Sequence, residues 1–175
     1  MNIMARELIA YFSRAGENYF SGSYRHIDVG NTEVVAGMIR DVTGADMFRI
    51  EMAEPYSDVY DECIAQAKED QRKGARPELR TYLDGIDGYD TVYLGFPDYW
   101  GTMPMAVFTF LERYDFFGKT IRPFCTHEGS GFGSALSDLR RECPGAEIGK
   151  GLSIQGGSVN GARGQVEKWV KGRAV

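Results

Sequence analysis

Hydrophobic positions along the chain fall into two alternating patterns. Short apolar runs at 6–12, 46–51, 89–96, 119–126 and 146–154 predict strands. Thr91 to Phe96 is nearly unbroken apolar sequence, the pattern of a strand covered on both faces. Between the runs, apolar residues recur every three to four positions and predict helices. In 32–43 these are Val35, Met38, Ile39 and Val42, with Gly44 as the stop. In 57–73 they are Val59, Cys63, Ile64 and Ala67. Pro104 is the expected first residue of a helix over 104–114, whose repeat is Val107, Phe108, Leu111 and Tyr114. Segments 133–142 and 161–172 complete the set, the last burying Val166, Trp169 and Val170. Five βα alternations predict a parallel sheet with helices on both faces and right-handed crossovers. The polar stretch 74–88 reads as a surface loop. No repeat, low-complexity tract or linker divides the chain, so 1–175 is expected to be a single domain.

Composition narrows the function. Hydrophobic residues make up 43% and charged residues 26% of the 175, an ordinary globular balance. A net charge of −5 argues against non-specific nucleic-acid binding. Cys63, Cys125 and Cys143 form no CxxC pair, and His26 and His127 offer little for a metal; His127-Glu128 fails as an HExxH motif because position 131 is Gly. No apolar run has the length of a membrane span, and no cleavable apolar segment precedes the run Leu8–Phe12. Cytoplasm is the expected compartment.

In a doubly wound sheet, ligands sit beyond the carboxyl ends of the strands. Three segments that follow strands are poorly suited to plain connection, and parallel strands bring all three to one edge. In the first, Ser13, Arg14 and Ala15 leave a strand, and a helix starts at Gly30-Asn31-Thr32 with Asn31 as the expected N-cap. Open amides and the helix dipole there favour a phosphate, although a capped helix with no ligand is an equal reading. Residues 16–29 then form an insertion that interrupts a compact cradle. The second segment, Pro97-Asp98-Tyr99-Trp100-Gly101, sets two large aromatics among turn residues. Either a planar ligand stacks on a ring, or one ring folds back onto the core. The third, Thr126-His127-Glu128-Gly129-Ser130-Gly131, reads better as backbone approaching a ligand closely than as a dinucleotide fingerprint. A thiol nucleophile at Cys125, aided by His127 and Glu128, is the weaker alternative, since a free cysteine at a buried strand end is commonly a small core residue.

These three motifs, in this order, resemble the flavodoxin family over nearly the whole chain. The resemblance rests on Leu8–Arg14, Gly30–Thr32, Leu94–Gly101 and Pro123–Gly131. It implies an α/β fold, a flavodoxin-like three-layer α/β/α sandwich with a five-stranded parallel sheet in the order 2-1-3-4-5, and bound FMN. Ser13, Arg14, Ala15, Asn31 and Thr32 would hold the phosphate. Pro97, Asp98, Tyr99, Trp100 and Gly101 would line one side of the isoalloxazine, and Thr126, His127, Glu128, Gly129, Ser130 and Gly131 would approach the other side and the pyrimidine edge. The family's electron carriers stabilise the flavin semiquinone through a backbone carbonyl that turns to flavin N5, a role that falls here to Asp98–Gly101. The interrupted cradle and the mild net charge are departures from the family pattern.

Two functions follow. One is electron transfer through FMN to redox partner proteins. The other is NAD(P)H-dependent reduction of quinones or similar small acceptors. An enzyme needs a pocket over the flavin, which Tyr19, Phe20, Tyr24 and His26 of the insertion could wall. The insertion could equally be a clamp packed on the protein's own surface.

Overall fold

The computed structural model describes residues 6–172. Its central sheet contains β1 (Glu7–Tyr11), β4 (Asp46–Arg49), β5 (Thr91–Pro97), β6 (Thr120–His127), β7 (Glu147–Ile148) and β8 (Leu152–Gln155). The order is β4-β1-β5-β6, with β7 and β8 both pairing to β6, and every pairing is parallel. This is the expected 2-1-3-4-5 order. The fifth strand, however, is split in two around 149–151. There the Gly149 amide still reaches the Ile121 carbonyl at 2.9 Å, while the Phe132 ring fills the space a side chain at Gly151 would need.

Helices α1 (Asn31–Thr43), α2 (Tyr60–Lys73), α3 (Met105–Arg113), α4 (Ala135–Glu142) and α5 (Arg163–Gly172) follow the predicted periods. A short 3-10 turn, Gly156–Gly161, was not foreseen. Gly44 ends α1 in the left-handed conformation (φ 68°), its amide donating to the Arg40 carbonyl at 2.8 Å. Pro104 stands one residue ahead of α3, as its N-cap.

Side chains alternate along β1 and so build two cores. Leu8, Ala10 and Phe12 join Val107, Leu111 and Leu139 on the face under α3 and α4. Ile9 and Tyr11 meet Val35, Ile39, Val166 and Val170 under α1 and α5. The stretch 74–88 has no regular element, yet Leu79 and Ile86 are buried and Leu79 bridges to Met52. Its polar composition hid those two anchors.

The insertion is an antiparallel hairpin of β2 (Gly16–Phe20) and β3 (Ser23–Ile27), apart from the main sheet. Its register faces Tyr19 with Tyr24, and its turn is Ser21-Gly22. Both turn residues have positive φ (46° and 97°), the backbone that two-residue hairpin loops require.

Candidate functional site

One cleft of about 360 Å³ opens at the carboxyl edge of β1, β5 and β6. The hairpin and α2 form its other walls.

At the first segment, α1 begins at Asn31 after Gly30, which has extended backbone and no side-chain cap. Asn31 is therefore not the N-cap. The cap bond comes from outside the helix, where Ser13 Oγ accepts the Glu33 amide at 3.0 Å. Gly30 lies so close to Ser13 Oγ and the Arg14 carbonyl that a Cβ would overlap both. The two ends of the interrupted cradle thus touch although the hairpin separates them in sequence. The Glu33 and Val34 amides are bonded, to Ser13 Oγ and the Gly30 carbonyl. Those of Asn31 and Thr32 have no protein acceptor among the described residues and are the open donors of a helix start. Thr32 is buried, its hydroxyl 2.8 Å from that of Thr126, which ties α1 to the end of β6.

Arg14 lines the cleft, but its guanidinium is fully engaged with the protein. Nε donates to Cys63 Sγ at 3.2 Å. The remaining donors reach the carbonyls of Ala15, Glu17, Ser57 and Asp58 at 2.7–3.4 Å. Five bonds use its five N–H groups. Arg14 is a strut joining the hairpin base to α2, not a free phosphate ligand. Ser13 and Ala15 face a neighbouring cleft of about 230 Å³.

At the second segment, Tyr99 and Thr102 pair in both directions around Trp100-Gly101. Trp100 (φ 55°) and Gly101 (φ 84°) form a tight two-residue turn. Tyr99 folds back and packs edge-on against Phe12, with centroids 5.7 Å apart. Its hydroxyl is buried without a partner among the described residues, and burial pushes the phenol well above its ordinary pKa. Trp100 remains 47% exposed. Its Nε1 donates to the Ile64 carbonyl at 2.8 Å, and the Lys68 ammonium lies 4.7 Å from its ring centre. Both aromatics line the cleft with Pro97, Asp98 and Gly101.

At the third segment, Thr126, His127, Glu128 and Ser130 line the cleft, whereas Gly129 and Gly131 shape the loop behind them. Ser130 Oγ donates to Asp98 Oδ2 at 2.8 Å, joining this loop to the aromatic turn. The Gly129 amide donates to His127 Nδ1 at 2.9 Å. Glu128 accepts the Ser21 amide of the hairpin tip at 3.3 Å. Cys125 is buried, its thiol directed at the Thr126 and Gly131 carbonyls. Burial raises its pKa far above the ordinary thiol range, so the nucleophile reading fails.

Sequence reasoning missed the wall formed by α2 and the hairpin, where Asn18, Tyr60, Cys63, Ile64 and Ala67 join Tyr19. The α2 period looked like a plain core stripe. Of the four insertion residues offered as a wall, only Tyr19 lines the cleft, stacked on Tyr60 with centroids 6.1 Å apart. Phe20 is buried, Tyr24 donates to Asp61 at 2.7 Å, and His26 points outward beside Asp28. The hairpin is thus a clamp and a wall at once.

A parallel sheet in this order, with a cleft at its switch point beside open helix amides, is the arrangement of the doubly wound α/β class. The chain belongs to the flavodoxin family, whose sequence profile matches residues 6–173. Among solved structures, a flavoprotein of Bacteroides uniformis is similar at 29% identity and TM-score 0.75, over 95% of this chain and 98% of that one. A flavoprotein of Bacteroides eggerthii is 23% identical with TM-score 0.68, over 93% and 98%. A flavoprotein of Lactobacillus acidophilus, solved in complex with FMN, is 19% identical with TM-score 0.63, over 90% and 98%. None of the curated proteins matches the chain.

Proposed function

We propose that the cleft holds FMN and that the protein transfers electrons through it. The observation that carries this reading is the convergence in one cleft of open α1 amides, an aromatic turn and a glycine-rich loop. Family membership and the FMN complex of the Lactobacillus relative support it. The residues fit the group: Gly30 leaves no room for a side chain inside the cradle, and the Asn31 and Thr32 amides are unspent. Those amides and the Asn31 side chain would hold the phosphate, with Ser13 and Arg14 fixing the cradle's shape from behind. Trp100 would cover one face of the ring system and the 126–131 loop its polar edge, with Glu128 of that loop reaching back beside Asn31 at the phosphate end. FMN supplies a redox centre that accepts one or two electrons. Titrating the protein with FMN and with riboflavin, followed by flavin fluorescence, tests the reading. Saturable binding with FMN the tighter ligand is expected, and no binding of either would refute it.

Acidic groups at the hairpin bear on the electron acceptor. Glu17 of the hairpin, Asp61 of α2 and Glu128 beside the hairpin tip would suit a basic redox partner protein. A second reading, NAD(P)H-dependent reduction of a small acceptor, is favoured by the Tyr19–Tyr60 wall, which shields the cleft on the side an open carrier would leave free. Oxidation of NADH or NADPH by the FMN-loaded protein, with and without a soluble quinone, separates the two.

A further inference from the structure

The neighbouring cleft of about 230 Å³ is lined by residues that follow β1 and β4. Arg14, Cys63 and Tyr99 line both clefts. Among the described residues, two buried side-chain polar atoms lack a hydrogen-bond partner, Arg49 Nε and the Tyr99 hydroxyl. Both belong to residues that line this second cleft. Both are donors here, since a guanidinium has no acceptor and burial keeps the phenol protonated. The protein's own acceptors fall short. Glu51 Oε1 stands 3.8 Å from Arg49 Nε, and Glu51 Oε2 stands 3.6 Å from Arg80 Nη1, both beyond hydrogen-bond distance. Cys63 Sγ, the neighbour of the Tyr99 hydroxyl, is a weak acceptor that already takes Arg14 Nε at 3.2 Å. Two unspent donors beside one cavity are explained by an acceptor that enters it.

We propose that this second cleft binds a small carboxylate, whose oxygens accept from Arg49, Tyr99 and Arg80 while its apolar part lies against Met52 and Tyr56. Charge favours an anion. Three guanidinium groups, those of Arg14, Arg49 and Arg80, reach the cleft. Arg49 is paired with Glu33 at 2.7 Å and Arg80 with Glu51. Arg14 is bonded to carbonyls and a thiol, and among the described residues it has no carboxylate partner. Asp58, the other carboxylate on the wall, is exposed, where water weakens its field. A carboxylate presents two oxygens with about four acceptor positions and matches the fork of a guanidinium. The space suffices, since a cavity of about 150 Å³ already holds benzene. The occupant would stand across Arg14, Cys63 and Tyr99 from the first cleft. This second site therefore does not depend on FMN filling the first.

Benzoate is the probe, and benzamide, of the same shape without the charge, is its control. The protein is titrated with each, with and without saturating FMN, and followed by NMR at the Arg49 Nε–H and the Tyr99 ring. Benzoate should bind saturably, shift both signals, and bind about tenfold more tightly than benzamide, the difference between a charged and a neutral hydrogen bond. Arg80→Gln should weaken benzoate about tenfold and leave FMN affinity unchanged. Tyr99→Phe should weaken benzoate and yet raise the Tm of the ligand-free protein, because a buried hydroxyl without a partner is removed. A lower Tm in Tyr99→Phe would mean that the protein itself satisfies the hydroxyl, and would overturn the inference. So would the absence of saturable benzoate binding, equal affinity for benzamide, or displacement of benzoate by FMN. Failure of FMN to bind while benzoate still does would overturn the functional reading and leave the second site standing.

Discussion

Glu128 is the residue whose charge is at odds with its surroundings. A side chain at Gly156 would meet both Asn31 Nδ2 and Glu128 Oε1 at 2.6 Å, so this carboxylate stands beside the residue expected to bind a phosphate. Two unit charges several ångströms apart near a protein surface repel by a few kcal/mol before screening. Glu128→Gln should therefore tighten FMN binding several-fold and leave riboflavin, which has no phosphate, unchanged. Equal gains for both ligands in parallel fluorescence titrations would place the phosphate elsewhere. Trp100 makes the complementary case, because it contacts the ring system rather than the phosphate. Trp100→Ala should weaken FMN and riboflavin alike, by about 1–3 kcal/mol in the range of one lost aromatic contact; an unchanged affinity and flavin spectrum would remove Trp100 from the site. The adjacency of Tyr99 and Trp100 was legible as an aromatic loop, but not which ring faces the ligand. That division is set by Phe12 on one side and the Ile64 carbonyl on the other, two contacts with residues distant in sequence.

At the scale of elements, the hairpin depends on Arg14 as much as on its own strands. Among the described residues it shares no strand pairing with the main sheet. An isolated two-stranded hairpin is marginal in water. It is fastened by the Arg14 bonds, by Glu17 accepting the Tyr60 amide at 2.8 Å, and by the Tyr19–Tyr24–Tyr60 cluster. Arg14→Met would leave the carbonyls of Glu17, Ser57 and Asp58 without their donor, a loss of about 2–3 kcal/mol. The expected result is a lower Tm and faster amide exchange confined to residues 16–27 and the start of α2. Uniform loss of protection across the sheet would show that Arg14 supports the core instead. The strands and helices of the sheet were readable because burial imposes periods of two and 3.6 on the sequence. The hairpin was not, since Tyr, Asn, His and Arg on a ribbon exposed along most of β3 follow neither period. The cap of α1 escaped for a related reason: Ser13 completes it from twenty residues away, across the whole insertion.

For the molecule as a whole, the cleft lies where β1, β5, β6, α1, α2 and the hairpin meet, so a ligand there bears on the cooperative unit and not on one loop. A ligand that binds only the folded chain stabilises it by RT ln(1 + [L]/Kd), about 2.7 kcal/mol at one hundred times Kd. For a chain of 175 residues each kcal/mol moves Tm by about 2–4 °C. Saturating FMN should therefore raise Tm by roughly 5–11 °C, in proportion to the logarithm of its concentration. Riboflavin at equal concentration should give a smaller rise, by the share of affinity that the Asn31 and Thr32 amides contribute. The hairpin adds a second expectation. Because Ser21 reaches Glu128 across the cleft and Tyr19 stacks on α2, bound flavin and hairpin should protect one another, and amide exchange at 16–27 should slow on FMN loading. A Tm that rises with FMN while hairpin exchange stays unchanged would mean that flavin binds beneath an independent clamp. A rise in both would make the hairpin part of the binding site, the role that its position between Arg14 and Gly30 gives it.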